Sequence, residues 1–292
     1  MKNLKKFVTG CSNYDLRGYF SMLNIVVALP EEARPLIDYF KLKRWHDFRH
    51  FAVYRNNEMH LIVSGIGKIA SATAAGFLAG LKNDSPSAWL NIGIAGGDAG
   101  SIGDIVLANE IVDSISKYKF YPSICFKSPI KLARVITVTE PCTSYFDDAV
   151  FDMEASGFYG AALRFSTTEM VHSVKIISDN SNSGVEGLVK TNVSELIERN
   201  LTAVSEICCW LHDTIKILSN EYKGDGDYNA ILSNYHFTFT QRRKLKFLLQ
   251  KWYALTEVSL LQNVEFCDIH SAKMFLKEIE RQMDKVPITY IK

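Results

Sequence analysis

From Leu23 onward, short apolar runs alternate with stretches of helical periodicity. "LNIVVAL" (Leu23 to Leu29) is a continuous apolar run of strand length, and "EEARPLIDYF" after it has helical spacing. "HFAVYRN" and "MHLIVSGI" predict a hairpin turning at Asn56-Asn57, because Val, Ile and Tyr suit a pleated, half-buried surface. An alanine-rich helix is predicted from Lys68 to about Leu81, then strands at "AWLNIGI" and "DIVLANEIV". Further on, "MEASGFYGAALRF" reads as a helix, "VHSVKIISD" as a strand and "VSELIERNLTAVSEICCWLHDTIKIL" as one long helix. This rhythm predicts an α/β fold, a central mixed twisted β-sheet flanked by helices on both faces.

The pattern changes at "NEYKGDGDYN", where Gly224, Asp225, Gly226 and Asp227 break the helix and read as a linker. The expected organisation is an N-terminal extension over 1–21, a main domain over 22–222 and a mainly helical C-terminal extension over 228–292. In that extension Leu245, Leu248, Leu249, Trp252 and Leu255 recur at helical spacing, and Arg242, Arg243, Lys244 and Lys246 crowd the helix start. Such a helix docks on its own protein, or offers a surface to a protein partner or a nucleic acid.

Composition narrows the class without naming a partner. The 292 residues suffice for one large core plus an appendage, and 47% apolar with 22% charged residues is an ordinary globular balance. With 33 basic and 32 acidic side chains, no global field points to nucleic acid or a membrane. The six cysteines contain no CxxC pair and read as reduced thiols, which points to the cytoplasm. The seven histidines are dispersed, with no HExxH, so no metal and no cofactor is expected. No apolar run approaches the ~20 residues of a membrane span, and the N-terminus lacks the apolar core of a secretion signal.

The chemistry is concentrated in a few short stretches. "VSGIGKIASATAAGFL" (Val63 to Leu78) places Ser64, Gly65, Ile66 and Gly67 at a strand-to-helix turn. Glycines there either let a backbone approach a phosphate or sugar, or only make the turn. Asp179, after Ser178, ends an apolar strand, where ligands of open α/β sheets bind. An aspartate there also suits a plain turn or helix cap. Glu32 stands where the first strand gives way to a helix whose start Pro35 confines to Glu31 or shortly before. Helix-dipole stabilisation alone would favour a glutamate there. Glu154 offers two acceptor oxygens, which match a vicinal pair of hydroxyls.

Taken together, "VVALPEEARPL", "SGIGK", "NIGIAGG", "GDIVLANEIV", "DMEAS" and "IISD" resemble, in order and spacing, the purine nucleoside phosphorylase and nucleosidase superfamily. The likeness is greatest to its 5′-methylthioadenosine/S-adenosylhomocysteine nucleosidase branch and spans about residues 22–218. It implies cleavage of a purine N-glycosidic bond, with Asp179 protonating N7 of the leaving base and Glu32 activating water. Glu154 would hold the ribose hydroxyls while Met153 packs on the sugar. The turn at Ser64 to Gly67 and the segment with Ala95 and Gly96 would line the pocket. The segment after "RVITVTEP" is short, so Tyr145, Phe146 or Phe151 would supply the stacking aromatic.

Phosphorolytic relatives typically place an arginine where this chain has Asn91, which favours water as the nucleophile; Arg34 is the residual candidate for an anion contact. Ile94 departs from the serine or threonine common at its position. The resemblance implies a small-molecule nucleoside ligand and a homodimer. A phosphorylase, or a nucleoside-sensing protein without turnover, are the alternatives.

Overall fold

The computed structural model describes residues 22–81, 87–142, 145, 148–181, 192–221, 225–256, 258–266 and 269–286. The chain divides into two compact units, Ser21–Asn220 and one that takes in Glu221–Lys292. The reading of residues 1–21 as an extension lies outside the described residues, as does Phe146.

The larger unit is built on a ten-stranded sheet among the described residues. Its strands are β1 (Met22–Val27), β2 (Lys43–Arg44), β3 (Ala52–Arg55), β4 (Met59–Val63), β5 (Ser87–Gly97), β6 (Ile105–Asp113), β7 (Lys119–Phe120), β8 (Lys131–Thr137), β9 (Ala149–Asp152) and β10 (Val171–Asp179). The apolar runs form the centre. β1 lies parallel between β4 and β5, and β10 runs parallel to β5 on its other side. β3 and β4 form the expected antiparallel hairpin. The far side of the sheet closes on itself: β10 pairs with β6, β6 with β8, β8 with β9, and β9 returns to β5 at Gly96 and Gly97. This mixed, partly closed sheet carries helices on both faces.

Alternation along the strands sorts the core. Leu23, Ile25 and Val27 of β1 face α1 (Pro30–Phe40), α4 (Val193–Arg199) and α5 (Leu201–Glu221), while Val26 faces α2 (Lys68–Gly80) and α3 (Ala155–Ala162). Helices α2 and α3 pack closely because Gly157 has no side chain; a Cβ there would collide with the carbonyl oxygen of Lys68.

Three readings change in the larger unit. The long helix after Val193 is two helices joined at Asn200, whose amide donates to the carbonyls of Gly103 and Leu196. The helix expected from Met153 begins at Ala155, because the Asp152 carboxylate accepts from the amides of Glu154 and Ala155 and caps it there. Helix α1 begins at Pro30, so Pro35 sits in its second turn rather than its first. The missing Pro35 N–H leaves the Glu31 carbonyl without its helical donor, and the hydroxyl of Ser194 donates to it at 2.7 Å.

The smaller unit contains α6 (Asp225–Asn234), α7 (Phe239–Thr256), α8 (Leu260–Asn263) and α9 (Ala272–Met283) around Phe237, Leu245, Leu248, Leu249, Trp252, Phe275 and Ile279. Gly226 and Asp227, read as linker, lie inside α6. The buried Asp227 accepts from the Ser259 hydroxyl at 2.7 Å and the Leu260 amide at 2.6 Å, so it ties α6 to the start of α8. Leu255, placed in the apolar stripe, is 40% exposed.

Candidate active site

Glu32, the third residue of α1, is 2% exposed. Its Oε2 accepts from the amides of Ala28 (2.8 Å) and Leu29 (2.9 Å), and its Oε1 from the amide of Ile94 (3.0 Å). The first two bonds cap the helix. The third fixes the carboxylate across the bare strand position Gly93, where a Cβ would lie 3.0 Å from Oε1 and 3.5 Å from the ammonium of Lys175. Burial pushes the Glu32 carboxyl above the usual carboxylate range, against the opposing pull of these amides and of Lys175.

Lys175 lies in the middle of β10, fully buried, and its ammonium is 2.7 Å from Oδ2 of Asp152. Burial alone would lower its pKa, but Asp152, Glu154 and Glu32 outweigh it and hold the ammonium above the ordinary lysine value. Asp152 also accepts from the Thr137 hydroxyl at 2.8 Å. Glu154, between Asp152 and α3, accepts from the Gly67 amide at 2.8 Å through Oε1. Burial, reinforced by Asp152, raises its carboxyl despite Lys175.

Asp179 ends β10 opposite Gly96, at a register shift that follows Ile177. Ser178 donates to its Oδ1 at 2.5 Å, and the Tyr145 hydroxyl donates to its Oδ2. Gly96 makes the approach possible: a Cβ there would lie 2.7 Å from Oδ2 of Asp179 and closer still to the tyrosine hydroxyl. Burial, and then Asp179, keep the Tyr145 phenol well above its ordinary pKa. Its ring centroid is 5.6 Å from that of Phe151.

These groups surround one pocket of ≈ 230 Å³, somewhat below the roughly 300 Å³ at which small-molecule sites usually begin. Glu32, Ile66, Ala95, Gly96, Tyr145, Phe151, Met153, Glu154, Ser178 and Asp179 all line it, so segments 147 residues apart in sequence meet there. Ser64, Gly65, Gly67 and Arg34 do not line it. The Ser64 hydroxyl donates to the carbonyls of Val27 and Gly65. Gly65 and Gly67 have φ of 84° and 103°, which make the turn, and the Gly67 amide is committed to Glu154. Arg34 is exposed on α1.

Asn91 is likewise occupied. Its amide donates to the Val26 carbonyl at 3.1 Å and accepts from the Ser173 hydroxyl at 2.9 Å. Among the described residues, no arginine, lysine or histidine lines the pocket. Sequence reasoning missed Lys175 and Asp152. A lysine in the middle of the apolar run "VHSVKIISD" was the available signal, since an interior strand accepts a charge only with a partner.

No protein-family model and no curated protein matches the chain. Solved structures do match. The 5′-methylthioadenosine nucleosidase of Arabidopsis thaliana is 16% identical, with 66% of this chain and 96% of that one covered at a TM-score of 0.54. The 5′-methylthioadenosine/S-adenosylhomocysteine nucleosidase of S. pneumoniae, solved with a transition-state inhibitor, is 18% identical, with 65% and 98% covered and a TM-score of 0.51. Futalosine hydrolase of Helicobacter pylori is 15% identical, with 63% and 96% covered and a TM-score of 0.50. The chain therefore has the nucleoside phosphorylase-like fold shared by the 5′-methylthioadenosine/S-adenosylhomocysteine nucleosidases.

Proposed function

We propose that this chain is an N-glycosidase that hydrolyses a purine nucleoside, methylthioadenosine-like in its apolar 5′ end, to free base and sugar. The observation that carries the reading is the convergence of Glu32, Glu154 and Asp179 on one pocket, with a buried lysine behind them. As the glycosidic bond breaks, its electron pair goes to the base, and Asp179 gives its proton to purine N7. The base must take over Oδ2 of Asp179 from the Tyr145 hydroxyl. Glu32 takes a proton from water, whose oxygen then bonds to the oxocarbenium carbon C1′. Glu154 holds the ribose hydroxyls, with Met153 against the sugar. Proton exchange with solvent returns Glu32 to its carboxylate and Asp179 to its acid.

Water is favoured over phosphate because a phosphate dianion needs cationic or amide partners. Here Asn91 is spent between strands, the Gly67 amide is spent on Glu154, and Lys175 is spent on Asp152. An apolar 5′ substituent is favoured by Ile66, Val138, Pro141 and Cys142 in the pocket wall. We also infer a homodimer that covers Ile66, in the pocket wall, and Ile69 of α2, which are 59% and 79% exposed. The test of the catalytic assignment is release of free base from 5′-methylthioadenosine, adenosine and inosine by the chain and by Asp179→Asn. The expected result is release from at least the first, lowered at least ~100-fold by the substitution; full activity in Asp179→Asn removes the acid role.

A further inference from the structure

Helix α7 has a face that the nucleosidase reading does not use. Leu245, Leu248, Leu249 and Trp252 are buried against Phe275, Leu276 and Ile279 of α9, which fixes the opposite face outward. On that face Phe239 and Phe247 are 77% and 62% exposed. Phe239, Arg243, Phe247 and Lys251 follow one another at intervals of four residues, so aromatic and cationic side chains alternate about every 6 Å along one stripe. Arg242 and Lys246 flank it. From Phe239 to Lys251 there are five basic residues and no acidic one; among them Lys244 pairs with Glu280 at 2.8 Å and Arg242 donates to the Phe237 carbonyl at 3.2 Å.

Cations alone would suit any polyanion, and exposed phenylalanines alone any apolar partner. Their alternation asks for a ligand that presents flat π-faces and negative charges in turn. A single nucleic-acid strand does so, because its bases are free to stack while its phosphates run alongside. A duplex hides its bases, and an acidic peptide would leave the phenylalanines unmet. Insertion into an anionic membrane would call on the broad apolar face of the helix, and here that face is the unit's own core. We propose that α7 docks a single nucleic-acid strand, with Phe239 and Phe247 stacking on bases and Arg243 and Lys251 holding phosphates.

The test is fluorescence anisotropy of a labelled 15-nucleotide oligouridylate with the full chain across a salt series. Competitors are the same length of duplex RNA, polyglutamate and phosphatidylserine vesicles. Binding that weakens with salt and is displaced poorly by all three supports the proposal. Replacing both phenylalanines (Phe239→Ala with Phe247→Ala) is expected to weaken binding about tenfold or more at an unchanged salt slope. Replacing both cations (Arg243→Gln with Lys251→Gln) is expected to lower that slope by about 0.7 for each phosphate no longer neutralised. All four side chains are outside the core, and unchanged helical circular dichroism confirms that each variant folds. Absence of strand binding, equal binding of duplex, polyglutamate or vesicles, or full affinity in the double phenylalanine variant overturns it.

Discussion

Three carboxylates, those of Glu32, Asp152 and Glu154, act on the ammonium of Lys175, and all four groups are buried. Replacing the lysine with methionine keeps most of its volume but leaves these acids without their cation. Breaking a buried pair in this way costs about 3–5 kcal/mol, so Lys175→Met is expected to lose that much in a urea titration at pH 7; a loss below about 1 kcal/mol contradicts the electrostatic role. The raised Glu32 carboxyl has a kinetic consequence with a definite sign. A general base works ionised, so kcat/KM should fall on acidification through a value above the ordinary glutamate pKa of about 4.3. An acid limb at or below that value contradicts the assignment. In stability terms the same raised group favours the folded state below the ordinary glutamate value, and this contribution is lost as pH rises through the folded-state value. Glu32 itself was legible from its place before Pro35, whereas the pairing of Lys175 with Asp152 was not. Their positions are 23 residues apart in sequence, and the registers of β10 and of β9 against their shared neighbour β5 bring them together.

At the scale of elements, the near-continuous apolar runs at Leu23, Trp89 and Val171 announce the three central strands, because strands buried on both faces admit few polar residues. Boundaries were harder to see where side chains set them. Asn200 divides one helical pattern into two, Asp152 delays α3, and Asp227 turns an apparent linker into a cap for α8. In each case a short polar side chain bonds to a distant or neighbouring backbone group, which periodicity does not register. The packing of α2 on α3 depends on one missing atom. Gly157→Ala would force its Cβ against the Lys68 carbonyl, and overpacking of this kind costs about 1–3 kcal/mol. A lowered melting temperature is the expected outcome; an unchanged one means the helices separate freely, contrary to the packing described. In the turn "SGIG" beside them, the Gly67 amide donates to the Glu154 carboxylate.

Over the whole molecule, five of the six motifs supply residues to one pocket built from strand ends and helix starts, while "GDIVLANEIV" lies outside it, and the fold agrees with that of nucleosidases despite identities of 15–18%. What the motifs could not reveal is how each donor is spent, since that depends on which carbonyl or carboxylate lies within about 3 Å of it. The proposed dimer is open to direct measurement: sedimentation velocity should give twice the 33.0 kDa chain mass, and Ile69→Asp should shift it to the monomer. A monomeric parent chain contradicts that inference. The proposed use of water rests on a pocket with no spare cation among the described residues. It is tested most directly by incubating the chain with 5′-methylthioadenosine and excess inorganic phosphate and following phosphorus by NMR while adenine is released. The expected result is free sugar with no sugar 1-phosphate signal, at a rate independent of phosphate; a growing sugar 1-phosphate signal, matching adenine mole for mole, would contradict it.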